Sequence, residues 1–298
     1  MIRTSEPKNT TWETRFTTPT LKLSETEFTI LRDLIHEHTG IFYQNNKRDL
    51  LEDKLSPLII ERGFSSFLDY YYLLKYDNIE ANQEWKQVTD TLRVPETFFW
   101  REMDQIHGLV DVLVPQYFST ARTEPLRIWS AACSSGEEPL SIAMALNEAG
   151  WFDKVPIEIM ASDISLQVIR KAQQGIYRHY AMRNLPENLR AKYFQREQDS
   201  WRISPTLLSR IKWKTANLTT KNEIAQLAFS HVIFCRNVFI YFSDNKIRQT
   251  VQAFFDFMPP QGYLFVGSSE SLLKITTDFE LQEIGGAFVY VKRHKREQ

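Results

Sequence analysis

The alternation of short apolar runs with helical stretches after residue 94 constrains this chain most. Five runs have the length and apolar character of buried strands: Pro125–Ser130, Pro156–Ala161, Ser230–Cys235, Tyr263–Val266 and Ala287–Val291. Helical stretches precede or separate them, at about 103–118, 139–148, 166–174 and 245–257. Strands that alternate with helices predict a mostly parallel sheet in an α/β fold.

The first ninety residues carry helical signals instead. Ser24 and Glu27 have the spacing of a capping box, which predicts a helix that ends near Gly40. Three more helices are predicted at about 46–61, 66–75 and 82–92. The inner face of the 46–61 helix is predicted to be Leu50, Leu51, Leu55, Leu58 and Ile59.

Two boundaries divide the chain into a tail and two domains. Residues 1–20 hold seven threonines and few aliphatic residues, so we expect a flexible tail. Pro95 disfavours helical backbone at Val94, which indicates a boundary there. The predicted organisation is this tail, a small all-α domain (21–93) and an α/β domain (94–298).

The composition excludes several classes of protein. With 36 Lys and Arg against 37 Asp and Glu, the net charge is −1, which argues against a nucleic-acid binder. No run of about 18 apolar residues and no apolar signal-peptide core is present, so we expect no membrane insertion. The only cysteines, Cys133 and Cys235, form no disulfide framework, which favours the reducing cytoplasm. The six histidines have no metal-ligand spacing with them, so no metal site is predicted.

Acidic residues follow the first two predicted strands of the α/β domain, where ligands bind in open parallel sheets. Small residues at 131–136 follow the first strand and lead into Glu137 and Glu138, and Asp163 follows the second. A carboxylate at the second strand end can bind two ribose hydroxyls, which suggests a nucleoside ligand. The alternative is a structural turn in which Asp163 caps a helix.

The acidic pair also indicates which nucleoside ligand fits. The G-x-G-x-x-G fingerprint of dinucleotide sites is absent, which disfavours a dehydrogenase. Glu137 and Glu138 stand where a pyrophosphate would lie and would repel it. They would attract a cation, and S-adenosylmethionine carries both an ammonium and a sulfonium group.

Polar residues also interrupt the apolar run 232–242. A buried Arg236 needs a local carboxylate or an anionic ligand group, unless it leaves the strand for solvent. Tyr241 either packs in the core or points its hydroxyl into a pocket.

The stretch 94–102 combines three aromatic residues with polar ones. The aromatic residues either pack the domain junction or, together with Thr97 and Arg101, form a lip over the active site. Further on, 194–216 interrupts the α/β alternation. Its two short aromatic segments, Ser200–Ser204 and Ile211–Thr215, flank a polar turn and predict a small β-hairpin insertion.

Taken together, these stretches resemble the chemotaxis receptor methyltransferase (CheR) family. The motifs that carry the resemblance are, in family order, ETFFWRE (96–102), WSAACSSGEEPLSIAM (129–144), ASDIS (161–165), GIY (175–177), TANL (215–218), IFCRNVFIYF (233–242) and GSSESL (267–272). The N-terminal helices are also similar to the family's helical domain, including TGIFY (39–43).

The resemblance implies a class I methyltransferase fold, Rossmann-like and doubly wound, with 194–216 as a small β-subdomain. Members use S-adenosylmethionine to esterify glutamate side chains on cytoplasmic helices of chemoreceptors or related signalling proteins, and release S-adenosylhomocysteine. In some members the β-subdomain docks a peptide from the receptor's C-terminus. We expect a monomer.

The resemblance also implies roles for individual residues. Arg101 and Tyr241 take the catalytic roles beside the methyl donor. The cofactor contacts fall to Thr97, Arg101, Glu138 (amino group), Asp163 (ribose), Asn217 and Leu218 (adenine), and Arg236 and Asn237 (pocket wall). Lys47, Arg48, Lys54 and Arg62 either recognise an acidic substrate helix or form a solvated face.

Three positions depart from the family pattern. Pro95 stands where Asn is usual, Trp100 replaces a residue that is commonly smaller, and Lys54 replaces an Arg, which weakens any bidentate carboxylate contact. Two other functions stay open: a methyltransferase for another carboxylate, and a non-catalytic module that keeps the cofactor as a regulatory ligand.

Overall fold

The computed structural model describes residues 20–293, apart from Asn78, Pro95 and Ala121. The predicted tail therefore lies outside the described residues except for Thr20, and so does the Pro95 departure. The first helices are α1 (Glu25–Thr39), α2 (Arg48–Glu61), α3 (Phe67–Tyr76) and α4 (Glu80–Leu92). The four predicted helices are thus confirmed.

Helix α1 begins and ends as its sequence predicts. The Ser24 hydroxyl accepts the amide of Glu27, whose carboxylate in turn accepts the Ser24 amide at 3.0 Å, so the capping box is complete. Gly40 ends the helix at φ +83°, a conformation that glycine adopts without steric cost.

The four helices enclose a core of their own. Leu51, Leu55 and Ile59 on α2 are fully buried in it, as predicted. The prediction that Leu50 also faces inward is wrong, because its side chain is 44% exposed. The reason is that helix α2 presents the Leu50 side to the cavity described below.

Ten strands follow in the described part of the chain. They are β1 (Leu126–Ala131), β2 (Ile157–Asp163), β3 (Ile176–Arg178), β4 (Phe194–Glu197), β5 (Ser200–Ile203), β6 (Ile211–Thr215), β7 (Val232–Cys235), β8 (Tyr263–Val266), β9 (Phe279–Ile284) and β10 (Ala287–Lys292). Seven of them form the main sheet in the order β6-β2-β1-β7-β8-β10-β9. The first five in this order are parallel, and β10 is antiparallel to both neighbours.

Helices cover both faces of this sheet. They are α5 (Met103–His107), which continues through a π-helical turn at Gly108–Leu113 into α6 (Val114–Phe118), and then α7 (Glu137–Glu148), α8 (Leu166–Gln174), α9 (Glu187–Tyr193), α10 (Pro205–Leu208), α11 (Lys221–Ala228) and α12 (Asp244–Phe257). Neighbouring strand residues point to opposite faces: Ile128 packs with α7, whereas Trp129 packs with α11 and α12. The predicted doubly wound α/β sheet is confirmed.

The predicted hairpin within 194–216 is wrong in its pairing. Strand β5 pairs with β4 and β3 in a separate three-stranded sheet, whereas β6 pairs in parallel with β2 at the edge of the main sheet. The polar segment predicted to be the hairpin turn contains helix α10. The tight turn lies instead between Glu197 and Ser200, where Gln198 has a φ of +51°.

Among the described residues, no helix is long and apolar enough to cross a membrane.

Candidate active site

A cavity of about 720 Å³ lies between the helical domain and the carboxyl ends of β1, β2 and β7. This is the edge where ligands bind in sheets of this topology. The nine residues to which the family resemblance gives a catalytic or cofactor-binding role all line it: Thr97, Arg101, Glu138, Asp163, Asn217, Leu218, Arg236, Asn237 and Tyr241.

The turn after β1 lines the cavity with Ala132, Cys133 and Ser134. Ala132 and Ser134 adopt positive φ angles of 56° and 50°, which small side chains tolerate best. Gly136 is needed at the start of α7, because a Cβ there would lie 2.7 Å from the Trp213 ring. The Ser134 amide donates to Asp163 Oδ2 at 3.0 Å, so this turn helps to orient the carboxylate.

Asp163 is buried, and each of its oxygens accepts one backbone amide. Oδ1 accepts from Ser165 and Oδ2 from Ser134, both at 3.0 Å. Burial raises the pKa of Asp163, and the two amides oppose this shift. The alternative of a helix-capping Asp163 is wrong, because Ser165 is the N-cap of α8 and accepts the Val168 amide.

Arg236 lies buried between two carboxylates. Its Nε is 3.5 Å from Glu138 Oε2 and 3.7 Å from Glu102 Oε2, and its Nη2 donates to the Arg101 carbonyl at 2.7 Å. The side chain is 3% exposed, so the alternative in which it leaves for solvent is wrong. Its Nη1 is buried without a hydrogen-bond partner among the described residues.

Glu138 and Glu137 have different surroundings although they are adjacent. Glu138 lines the cavity, accepts the Ser130 hydroxyl at 2.6 Å and has its pKa raised by burial, against the opposing effect of Arg236. The expectation that Glu137 also faces the ligand is wrong, because Glu137 does not line the cavity and accepts hydrogen bonds from the hydroxyls of Ser135 and Thr97. Burial raises the pKa of Glu137 to about 7.

The segment 96–101, which carries Thr97 and Arg101, has no helix or strand of its own. Arg101 Nη1 donates to the Glu96 carbonyl at 3.2 Å, and its guanidinium lies 5.3 Å from the centre of the Phe98 ring. Both interpretations of the aromatic residues hold in part. Phe98 lines the cavity, whereas Phe99 is fully buried against rings of the three-stranded sheet.

The loop after β7 carries Asn237 and Tyr241 and is held by Glu270. The Glu270 carboxylate accepts the backbone amides of Asn237 at 2.8 Å, Ile240 at 3.2 Å and Gly267 at 2.6 Å. Asn237 has a φ of +57°. The GSSESL motif carries part of the family resemblance, but no role is predicted from it for Glu270. An acid in the loop after a strand is the signal that could have found this residue, because Glu270 follows the end of β8 at the ligand-binding edge.

The same loop is also joined to the helical domain. The Phe42 amide donates to the Tyr241 carbonyl at 2.8 Å, and Ile41 and Phe242 form an isolated antiparallel bridge. A Cβ on Gly40 would lie 2.6 Å from the Phe242 ring. The TGIFY motif therefore fastens the helical domain to the loop that carries Tyr241. Tyr241 lines the cavity, and partial burial raises its pKa, opposed by Arg101.

Asn217 and Leu218 also serve the packing of the protein. Asn217 Nδ2 donates to the His38 carbonyl at 2.7 Å, and its Oδ1 accepts the Thr219 amide at 3.0 Å. Both polar atoms of the Asn217 side chain are thus bonded within the protein. The Leu218 side chain is buried in the core that α11 and α12 cover.

The four basic residues on or near α2 do not form one surface. Lys47 and Lys54 line the cavity, and Lys54 Nζ donates to the Leu92 carbonyl at 3.1 Å. Arg48 pairs with Glu25 at 2.7 Å, and Arg62 pairs with the buried Glu84 at 2.6 Å. In the part of the chain that the structure describes, no group of three or more His, Cys, Asp or Glu residues could hold a metal ion.

Family comparisons agree with this two-part architecture. Residues 95–287 match the model of the CheR methyltransferase SAM-binding domain, and residues 26–92 match that of the CheR methyltransferase all-alpha domain. Chemotaxis protein methyltransferase 2 of Vibrio cholerae is 36% identical over 92% of this chain and 95% of its own. The chemotaxis protein methyltransferase of Escherichia coli is 32% identical over 89% of this chain and 91% of its own.

The fold, the cavity at the strand ends and the matched SAM-binding domain define an S-adenosylmethionine-dependent methyltransferase. Within this class, the chain belongs to the CheR methyltransferase family.

Proposed function

We propose that the protein transfers a methyl group from S-adenosylmethionine to glutamate carboxylates on the cytoplasmic helices of chemoreceptors. The products are the glutamate 5-O-methyl ester and S-adenosylhomocysteine, and the reaction serves sensory adaptation. The observation that carries this proposal is the composition of the cavity wall, to which both domains contribute. Residues of the helical domain thus face the strand-end loops, so an acceptor that reaches the cofactor contacts both.

The groups at the strand ends fit S-adenosylmethionine. Each Asp163 oxygen accepts one amide, which leaves a lone pair on each for the two ribose hydroxyls. Glu138 would hold the ammonium group, and the buried Arg236 would form the pocket wall behind it, with its Nε 3.5 Å from Glu138 Oε2. The cavity volume lies within the range of about 300–1,000 Å³ that is usual for such ligands.

The remaining residues would position the acceptor. When bound, the cofactor supplies an electrophilic methyl group on a sulfonium. A glutamate side chain titrates near pH ~4.3, so it is ionised at neutral pH and needs no general base. Arg101 would orient this carboxylate through two parallel hydrogen bonds. Tyr241, whose pKa is raised, would keep its proton and donate a hydrogen bond. Catalysis then rests on positioning and on the exclusion of water.

The proposal extends to the domains and to their partners. We assign substrate recognition to the helical domain (21–93), with Lys47 and Lys54 facing an acidic helix. We assign cofactor binding and catalysis to residues 94–298, and a receptor C-terminal peptide to the three-stranded sheet. The protein would act in the cytoplasm as a monomer.

Labelled methyl transfer tests this function. The protein is incubated with methyl-tritiated S-adenosylmethionine and the cytoplasmic fragment of a chemoreceptor from the same organism. We expect label on the fragment that mild base releases as methanol, and none on a fragment whose acceptor glutamates are replaced by alanine. Asp163→Ala is the matched inactive control.

Two other outcomes would contradict the proposal. Base-labile label on small carboxylic acids but not on receptor fragments would indicate a methyltransferase for another carboxylate. Binding of the cofactor by folded protein without transfer to any acceptor would indicate a regulatory module.

A further inference from the structure

Arg183 follows directly on the 3-10 turn His179–Met182 after β3, and it holds the segment 96–101 from outside the cavity. Its guanidinium carbon lies 3.6 Å from the centre of the Phe98 ring and 4.0 Å from that of Tyr180. Its Nη2 pairs with Glu96 Oε1 at 2.6 Å. The planar guanidinium therefore contacts two aromatic rings and one carboxylate at once, which a lysine cannot reproduce.

Arg183 and Arg101 contact the same two residues. Arg101 Nη1 donates to the Glu96 carbonyl at 3.2 Å, and its guanidinium lies 5.3 Å from the centre of the Phe98 ring. Arg183 bonds the Glu96 side chain and stacks on the same ring. The segment 96–101, which contains both Glu96 and Phe98, has no helix or strand of its own. The Arg101 Nε also lies 3.7 Å from Glu102 Oε1, so the position of Arg101 depends on Glu102 and on a carbonyl and a ring that Arg183 helps to hold.

We propose that Arg183 is a positioning residue for Arg101. It fixes Glu96 and Phe98, and these two residues set the direction of the Arg101 guanidinium together with Glu102. The inference rests on the acceptor-orienting role that the proposed function gives to Arg101. The Arg183 side chain is 27% exposed, and ion pairs at the surface add little to stability. Stability alone therefore does not account for its contacts on three sides, whereas a positioning role does.

The first test compares Arg183→Ala with a matched control, Arg190→Ala. Arg190 also stacks on an aromatic ring, with its guanidinium 4.9 Å from the centre of Trp201, and pairs with Glu187 at 3.2 Å. It lies outside the cavity lining. The acceptor is a receptor fragment that lacks the C-terminal peptide, so the three-stranded sheet near Arg190 takes no part in binding it. With this acceptor we expect Arg183→Ala to lower kcat about tenfold, because small misplacements of a catalytic group are costly. Its KM for S-adenosylmethionine and its Tm should change no more than those of Arg190→Ala.

Two further variants separate positioning from a merely structural role. Arg183→Lys keeps the pair with Glu96 but loses the stacking, so its kcat should fall between those of wild type and Arg183→Ala. In an Arg101→Ala background, Arg183→Ala should lower turnover no further, because its partner is already gone.

Three results would overturn the inference. They are a wild-type kcat for Arg183→Ala, the same loss of kcat in Arg190→Ala, and an equal tenfold effect of Arg183→Ala with or without Arg101. A failure of the proposed function gives a different pattern, because wild type itself would then transfer no label to the receptor fragment.

Discussion

Two irregular segments carry the side chains proposed to handle the acceptor, and they are held in different ways. The loop 236–242 is anchored by one carboxylate, since Glu270 accepts three backbone amides from it and its neighbour. The segment 96–101 is anchored by side chains from several elements, among them Glu137 and Arg183. The loop thus depends on one carboxylate that accepts its backbone amides, whereas the segment depends on several side chains, of which Glu137 is buried and Arg183 is partly exposed.

This difference has a consequence for mutation. Substitution of Glu270, the anchor of the loop, removes hydrogen bonds next to two core strands, β7 and β8, so it should lower stability. Substitution of Arg183 removes partly exposed contacts of the segment, so it should lower activity while the fold persists. Glu137 is a buried anchor of the segment, so its substitution should also change stability. Variants in the two segments separate effects on activity from effects on stability.

The largest effect is expected at the tip of the segment. Arg101→Ala should lower kcat by about 100-fold or more, because loss of one oriented donor to a reacting group costs that much in other sites. The Kd for S-adenosylhomocysteine should rise far less. Single-turnover transfer and calorimetric titration measure the two quantities. An affinity loss as large as the loss of kcat would show that Arg101 only binds the cofactor.

A titration effect is expected at the other anchor of the segment. Burial raises the pKa of Glu137 to about 7 from its ordinary value of 4.5. The folded state therefore holds this proton more tightly, so the contribution of Glu137 to stability is fully present below pH ~4.5. This contribution is lost as the pH rises to about 7, which lowers the free energy of unfolding by ~3 kcal/mol in all.

Glu137→Gln should remove this part of the pH dependence, because an amide does not titrate. Urea unfolding at several pH values between 5 and 8 measures the free energy of unfolding of both proteins. As the pH rises toward 7, we expect the free energy of unfolding of wild type to fall relative to that of Glu137→Gln. Parallel curves for the two proteins would contradict the assignment.

The anchor of the loop should affect stability first. Glu270→Gln leaves one oxygen where two accepted three amides, and it turns an NH₂ group toward a backbone donor. We expect a loss of about 2 kcal/mol in the free energy of unfolding, measured by urea denaturation. If stability stays unchanged while kcat falls, the loop is anchored no more firmly than the segment.

The smallest effect concerns the contact between the helical domain and the loop. Gly40 and Gly63 both have a φ of +83°, but only at Gly40 would a Cβ meet another residue, the Phe242 ring at 2.6 Å. Gly63→Ala should lower the free energy of unfolding by about 1 kcal/mol, from backbone strain alone. Gly40→Ala should cost about 1 kcal/mol more and should also lower kcat. Equal costs at the two glycines, measured by urea denaturation, would mean that the Phe242 contact does not restrain the loop.

Much of the fold was predictable from local pattern. The capping box at Ser24 and the strand-helix alternation after residue 94 depend on neighbours in sequence, so they survive in the structure. The position of β6 was not predictable in this way. Its parallel pairing with β2 depends on a strand far along the chain, and a short aromatic segment looks the same in a hairpin and at a sheet edge.

Site residues that follow strand ends were predictable from the sequence. Contacts that form only when the two domains meet were not. Asp163 and Arg236 were found because a charged residue directly after an apolar strand must lie near the ligand-binding edge of the sheet. The bond from Asn217 to the His38 carbonyl requires the two domains to be in contact, which no local pattern encodes. The same holds for Arg183, whose partners Glu96 and Phe98 lie far away in sequence.

The central claim is that the cavity between the two domains binds the cofactor through the strand-end carboxylate. Calorimetric titration of S-adenosylhomocysteine into wild type and Asp163→Ala tests it most directly. We predict binding by wild type with a Kd of about 1 μM, near −8 kcal/mol, and binding at least tenfold weaker by the variant. Equal affinity of the two proteins, or no binding by folded wild type, would contradict the claim.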